Sequence, residues 1–420
     1  MRDHPRRQRG YGVPDDPGDL PAPAVPRSGR RDPTARRAAQ AAAALAASTP
    51  EPASAGAVLG LDIGGTKLAA GVVDAAGRTR SFLVIPSYPK RGARAELDRL
   101  FALGRQALSQ QPQDRTTAVR AVGIGCGGPL DPVRGVLLCP LHLPGWRDVP
   151  VTAWAQESFG LPAVLDNDGT AAAAGEHRFG AGTAARNLVY LTLSTGVGGG
   201  MVIDGRVYRG AAGNGGEPGH VSIDRNGRHC RGCGRRGCLE AYVSGTSIAE
   251  RAREALSGGA ASSLSALAEV TAADVDRAAA AGDPVATAVW EQTTEALACG
   301  LTSIVNLLEP ELVVLGGGVT RAGERLLGPV REAVRRQAMG PAARACRIVP
   351  AALGDRVGVA GAAAVAFERL VFAEAETAGA QTAGAQTAGT EIAGTEIAEN
   401  RTAETEIAGG GAPRDRSGRN

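Results

Sequence analysis

The chain has 420 residues, 43% apolar and 21% charged, which is the profile of an ordinary globular protein and excludes a fibrous repeat or a chain disordered throughout. Of 46 basic residues only Lys67 and Lys90 are lysines, and with Gly at about twice its usual share this bias reads as genome composition, not as a nucleic-acid surface. The formal charge of +3 equals the surplus of nine Arg over six acidic residues in 1–56, so the rest sums to about zero and a basic nucleic-acid domain is excluded.

Residues 1–56 also hold nine of the 25 prolines and read as a disordered arm. Its apolar stretch Ala38 to Ala47, behind Arg36-Arg37, is too short to span a membrane and is taken as part of that arm, not as an export signal. The folded body is expected over 57–372, as an N-terminal α/β domain (57–167) and a C-terminal α/β domain (168–372) whose last helix packs back on the first. Val58 to Leu61 predicts a strand, Asp62 to Lys67 a Gly-rich turn, and Leu68 to Val73 a second strand ending at the turn Asp74 to Gly77. A helix follows over Arg94 to Ser109, then strands over Ala121 to Ile124 and Ala163 to Leu165. About 130 residues after its first occurrence the device returns as strand Leu188 to Leu193, Gly-rich loop Ser194 to Gly200, strand Met201 to Ile203 and turn Asp204-Gly205. Helices over Ser247 to Leu256, Val285 to Leu308 and Ala322 to Ala338, with a strand over Leu312 to Leu315, complete the alternation. Two copies of one device imply two related α/β halves, each presenting a loop of backbone amides to a shared cleft. From about Glu374 a five-residue theme repeats, fits no solenoid period, and reads as a low-complexity disordered tail over 373–420.

The loop Asp62-Ile63-Gly64-Gly65-Thr66-Lys67 has what a phosphate needs: Gly64 and Gly65 for close backbone approach, Thr66 for a hydroxyl, Lys67 for charge, and Asp62 to orient a Mg²⁺-bound water. Ordinary turn chemistry explains the same glycines. The sequence has no Gly-x-x-x-x-Gly-Lys-Ser/Thr, which excludes a Walker-type loop. Thr195, Gly196 and Gly198 belong to the second loop, and Gly316-Gly317-Gly318 ends an apolar strand where α/β sheets bind nucleotides. In Asp166-Asn167-Asp168, two carboxylates and an amide close a strand, a grouping suited to binding hydroxyls and taking a proton from one; helix capping by Asn167 or Asp168 is the plainer reading. Cys230, Cys233 and Cys238, with His220, make a closed tetrahedral set for structural Zn²⁺. His229 is an alternative ligand made awkward by adjacency to Cys230. Grouped thiols in a chain of seven cysteines point to a reducing, cytoplasmic setting; Cys126, Cys139, Cys299 and Cys346 read as packing residues.

Together these segments resemble the ROK family of sugar kinases and sugar-responsive repressors, over about Ala57 to Phe372. The carriers are Asp62 to Lys67, Leu193 to Gly200, Asp166 to Asp168, His142 to Trp146, Gly216 to His220 and the Cys-rich stretch ending in Glu240. The resemblance implies a two-domain, actin-like, hexokinase-type ATPase fold that closes on sugar and ATP. It implies a kinase acting on a hexose, foremost glucose at its 6-hydroxyl. Asp168 would accept the proton, with Asn167, Glu217, His220 and Glu240 on the other hydroxyls. ATP with Mg²⁺ would sit on Gly64 to Lys67, Thr195, Gly196, Gly198 and Gly316 to Gly318. It further implies a homo-oligomer; the near-neutral body and the lack of any apolar stretch of 18 residues leave neither nucleic acid nor membrane as an expected partner. The alternatives are a sugar-responsive regulator, a non-catalytic sugar sensor, or N-acetylmannosamine or fructose as substrate. Four departures from the family pattern bear on the sugar site: two residues between Cys230 and Cys233, Pro218 between Glu217 and His220, Asp166 where Glu is common, and Thr170 where Asn often follows.

Overall fold

Short apolar runs closed by turn residues build two sheets of the same design. The computed structural model describes residues 56–111 and 118–369; the arm, the repeat tail and residues 370–372 of the expected C-terminal domain lie outside them. The first sheet grows from a meander, β1 (Ala57–Ile63), β2 (Lys67–Asp74) and β3 (Thr79–Pro86). After α1 (Ala93–Ser109) comes β4 (Val119–Cys126), then a small hairpin of β5 (Leu130–Asp131) and β6 (Val136–Leu137). Helix α2 (Val151–Phe159) and β7 (Ala163–Asn167) finish that half, and α3 (Asp168–Phe179) starts on the next residue. The second sheet repeats the scheme with β8 (Leu188–Leu193), β9 (Val197–Ile203) and β10 (Arg206–Tyr208). Helices α4 (Glu240–Val243), α5 (Gly245–Ser257), α6 (Ala272–Ala280) and α7 (Pro284–Leu308) precede β11 (Leu312–Gly316). Then α8 (Glu324–Gln337), α9 (Gly340–Ala345), β12 (Arg347–Pro350) and a helix α10 over 357–369 complete the described chain.

Strand order is β3-β2-β1-β4-β7 in one sheet and β10-β9-β8-β11-β12 in the other. In each, the first three strands pair antiparallel and the last two join parallel, so the second sheet is the first repeated. Parallel strands need covered faces, and both sheets have them. Leu59 and Leu61 pack with Leu97, Leu100 and Phe101 of α1, while Val58, Val73 and Ala121 on the opposite face pack against Val359, Ala363 and Phe367 of α10. In the second sheet Leu191 and Leu315 meet Ile248, Leu297, Leu301 and Leu326 of the helical layer, and Tyr190 and Val202 meet Ala172 and Ala173 of α3.

Helix starts are written in side chains. Asp283 caps α7 by accepting from Ala286 N, with Pro284 at the first helical position, and Thr271 with Asp274 forms a reciprocal capping box on α6. Helix α10 lies so close to the first sheet that a Cβ on Gly123 would collide with the Ala362 carbonyl, and it crosses α3 where a Cβ on Gly175 would come within 2.9 Å of Gly361 Cα. No helix among the described residues is long and apolar enough to cross a membrane.

Apart from β8, which keeps its expected bounds, the strands run longer than predicted, and β3, β5, β6, β10, β12, α2, α4, α6 and α9 have no counterpart among the expected elements. One expectation changes: Gly198, Gly199 and Gly200 lie in β9, so the second loop shrinks to Ser194–Gly196. Two of these glycines answer close approaches: a Cβ on Gly200 would meet the Gly169 carbonyl of α3 at 2.7 Å, and one on Gly199 would collide with Pro218.

Candidate active site

Both Gly-rich turns stand at strand ends. In the first, Gly64 N donates to Lys67 O (3.0 Å), Thr66 O accepts from Ser87 N (3.0 Å), and the Thr66 and Lys67 side chains are exposed. In the second, Ser194 N donates to Gly196 O (2.9 Å), and the loop is tied to the start of α5 by Gly245 N on Ser194 O (2.7 Å) and Thr246 Oγ1 on Thr195 O (2.9 Å). Beside it opens a cavity of about 740 Å³ whose walls include Ser194, Thr195, Thr246, Trp290, Gly318 and Arg321. Thr195 and Gly318, predicted from separate clusters, thus share one cavity. Gly316 ends β11 beneath the Tyr190 hydroxyl, and Gly317, at φ 89°, turns the chain into the short helix Gly318–Ala322.

Asn167 ends β7 and caps α3, its Oδ1 accepting from Gly169 N (2.9 Å) and Thr170 N (3.2 Å). This satisfies two orphan helix donors and fixes the backbone at Asp168, the exposed first residue of α3. Asp166 behaves differently from the grouped-carboxylate expectation. It is fully buried, its Oδ2 takes Arg209 Nε at 2.7 Å, and Arg369 stands 3.8 Å away. Side chains alternate along a strand, so Asp166 points away from the face that Asn167 serves.

The remaining carboxylates sense one another. Burial, with the Asp168 charge beside it, pushes the Asp62 carboxyl up to about 6 against the pull of Lys67. Burial, then Asp168 and Glu240, also lifts Glu217 above the ordinary carboxylate range. Asp62, Asp168, Glu217 and Glu240 therefore form one acidic group that a cation or a hydroxyl-rich ligand would relieve. Glu217 precedes the short helix Pro218–His220; Pro218 occupies its first position, where no N–H is needed, and is buried against β9.

Glu240, at the head of α4, bridges two features: Oε2 accepts from Val197 N (2.9 Å) just past the second loop, and Oε1 lies 3.4 Å from Cys230 Sγ. Ligand atoms of His220, Cys230, Cys233 and Cys238 all lie within 4.8 Å of one another. Cys233 and Cys238 sulfurs are 3.5 Å apart, and Cys230 Sγ is 3.7 Å from His220 Nδ1. A zinc tetrahedron has edges of about 3.5–3.8 Å, so the donor set and its spacing fit that ion. His229 stands outside the group, in a bridge with Arg236. The extra residue between Cys230 and Cys233 is absorbed by a turn closed by Gly234 N on Cys230 O (2.9 Å), with Gly234 at φ 74°. Of the other cysteines Cys126 is buried and half-buried Cys346 packs against the second core, whereas Cys139 and Cys299 are exposed, which corrects the expectation for those two.

Sequence reasoning missed Arg209 and Asn214, which lie in the Gly-rich stretch before Glu217, and Glu176, a buried carboxylate in α3. Each has a distant partner, Asp166, Leu130 and Leu353 respectively, 43, 84 and 177 residues away and beyond any local pattern.

A model of the ROK family matches residues 58–369. The glucokinase of Thermotoga maritima is 33% identical over 317 residues, 74% of this chain and 98% of its own. A solved ROK family glucokinase from Streptomyces griseus, in complex with glucose and AMPPNP, is 36% identical with a TM-score of 0.63, over 74% of this chain and 99% of its own. The xylose repressor of Caldicellulosiruptor bescii is 30% identical over 269 residues, 63% of this chain and 67% of its own. With the family match spanning nearly all described residues and the fold likeness to that solved glucokinase, the chain belongs to the ROK family and has its two-domain, actin-like ATPase fold.

Proposed function

We propose that this chain is an ATP-dependent sugar kinase that transfers the γ-phosphoryl group to a hexose hydroxyl, with glucose at its 6-hydroxyl as the substrate. The observation that carries the reading is Asp168: an exposed carboxylate on a backbone fixed by the Asn167 cap, within an acidic group that includes Asp62 and Glu217. In this reading Asp168 takes the hydroxyl proton as the oxygen attacks phosphorus, a contribution of about 10²–10⁴ in rate. Asn167, Glu217, His220 and Glu240 hold the other hydroxyls and so orient the nucleophile.

The two Gly-rich turns receive the phosphates, Lys67 adds charge, and the cavity at Thr195, Thr246 and Gly318 takes the nucleoside. Mg²⁺, beside Asp62, would neutralise phosphate charge. Zn²⁺ on His220, Cys230, Cys233 and Cys238 would be structural, stiffening the loop between two sugar-holding residues. The domains of this reading are 57–167 and 168–372, with α10 packing back on the first. It is a cytoplasmic homo-oligomer. Support comes from glucokinases at 33–36% identity covering nearly their whole length.

A sugar-responsive regulator is the second reading, favoured by the likeness to a xylose repressor. ADP release with Mg-ATP across glucose, N-acetylmannosamine, fructose, mannose and allose separates the two. Asp168→Asn is expected to lower turnover by about 10²–10⁴ while leaving sugar affinity within a few-fold. Near-normal turnover in that variant sinks the assignment of the base, and silence across the panel with sugar still bound favours the regulator.

A further inference from the structure

Between β10 and Glu217 the chain runs through 209–216, a strap in which Gly210, Gly213 and Gly216 adopt φ of 70°, 75° and 90°. Left-handed glycines give such a segment no intrinsic stiffness, so its position depends on what holds it. It has two anchors: one reaches the first sheet and the other the small β5-β6 hairpin. At its start Arg209 donates to Asp166 of β7 (2.7 Å) and pairs with Glu368 of α10 (2.9 Å). Near its end Asn214 Oδ1 accepts from Leu130 N (3.2 Å), while Asn214 Nδ2 donates to Leu130 O (3.0 Å) and to Ala212 O (2.9 Å).

A side-chain amide that gives and takes one bond with the same residue reproduces the exchange of an antiparallel bridge. Leu130 is 1% exposed, so without Asn214 its N–H and C=O would be buried and unpaired. The clip closes beside the candidate sugar site. A Cβ on Gly128 would lie 3.2 Å from Asn214 Oδ1 and 3.6 Å from Asn167 Nδ2, so Asn214 and Asn167 flank one point of the wall. Glu217 follows Asn214 by three residues, and Asp168 follows Asn167 by one.

We propose that Asn214 is a positioning residue of the sugar site, an amide clip to Leu130 that holds the Glu217-bearing strap opposite Asn167 and Asp168 and thereby sets sugar affinity. The inference rests on the reading of Glu217 and Asn167 as sugar-holding residues. Asn214 itself touches neither nucleotide loop, so its effect falls on the sugar and not on ATP.

The test compares the full chain with Asn214→Ala and Asn214→Asp by steady-state kinetics, glucose calorimetry, thermal unfolding and hydrogen exchange at the Leu130 amide. Asn214→Ala is expected to raise glucose KM and Kd about tenfold, equivalent to about 1.4 kcal/mol, with ATP KM within about twofold and faster exchange at Leu130. Asn214→Asp is expected to be worse than Ala, because its carboxylate would face the Leu130 and Ala212 carbonyls; a residue that only fills space gives the opposite order. Unchanged glucose affinity, or glucose and ATP KM rising together with a fall in Tm, overturns the proposal. If the wild-type chain turns over no sugar, the kinase reading fails, and glucose Kd with Leu130 exchange still decides the role of Asn214. A wild-type chain that binds no sugar overturns both.

Discussion

Asp62→Asn removes a charge that folding must strip of water, and the gain can be sized. Burial foremost, then the Asp168 charge, lifts the Asp62 carboxyl from 3.8 to about 6. At about 1.4 kcal/mol per pH unit, keeping that group ionised costs folding about 3 kcal/mol. Part is returned by α10, whose first turn lies against the carboxylate: a Cβ on Gly358 would collide with Asp62. A helix N-terminus supplies about 0.3–1 kcal/mol to an anion, which leaves about 2 kcal/mol. Because the folded pKa is raised, the penalty is complete above pH 6. It shrinks as pH falls from 6 towards 3.8, where the unfolded chain ionises while the folded one keeps its proton, and it vanishes below. Thermal unfolding without Mg²⁺ or nucleotide at pH 7.5 and pH 4.5 reads this directly. Asp62→Asn should be the more stable protein at pH 7.5 by several degrees, with most of the gap gone at pH 4.5. Its turnover should be lost, so stability and activity part at this residue. A gap of equal size at both pH values, or a variant less stable at pH 7.5, would refute the account.

Two further outcomes concern the loops that frame the site. Elemental analysis of protein purified without chelator should find about one zinc per chain; Cys238→Ser should lose it and weaken sugar binding, since Glu240 is two residues on, and a wild-type chain free of zinc argues against the ion. Fully buried Glu176 accepts from Ala181 N (2.8 Å), Ala352 N (3.1 Å) and Leu353 N (2.8 Å), so Glu176→Gln turns an amide donor towards a backbone N–H. It should cost about 1–3 kcal/mol in urea unfolding with sugar KM unmoved, and a neutral result would show that the loop at 352–353 is held by something else.

The two halves were legible because each opens with the same local device, an apolar run, a Gly-rich turn and a second run. Local chemistry sufficed there, as it did for the Cys-x-x-Cys spacing and for Asn167, whose capping role and place beside Asp168 turn out to be one arrangement. Edge strands such as β3 and β10 escaped notice because their residues are only partly buried and carry Arg among the apolar positions. Asp166 misled for a geometric reason: adjacent residues on a strand face opposite ways, so neighbours in sequence need not share a cleft. The glycines of β9 misled because Gly200 makes room for α3 and Gly199 for Pro218, neighbours that leave no local trace in the strand. Arg209 and Asn214 were invisible on the same ground, since the first finds Asp166 on the first sheet and the second finds Leu130 in the β5-β6 hairpin, both far away in sequence.

The crossing of α3 and α10 has the character of a plain bearing. Interlocked side chains work as gear teeth, and moving one helix past another then demands that rotamers change together. Where Gly175 meets Gly361, with Ala171, Ala174 and Ala364 around them, the backbones touch with few teeth between them, and the interlocking is left to Phe179 and Phe367. One of these helices begins at Asp168 and the other beside Asp62. The close approach at Gly175 and Gly361 therefore links the separation of two acidic groups at the cleft to the crossing of these helices, which Phe179 and Phe367 lock edge to face further along.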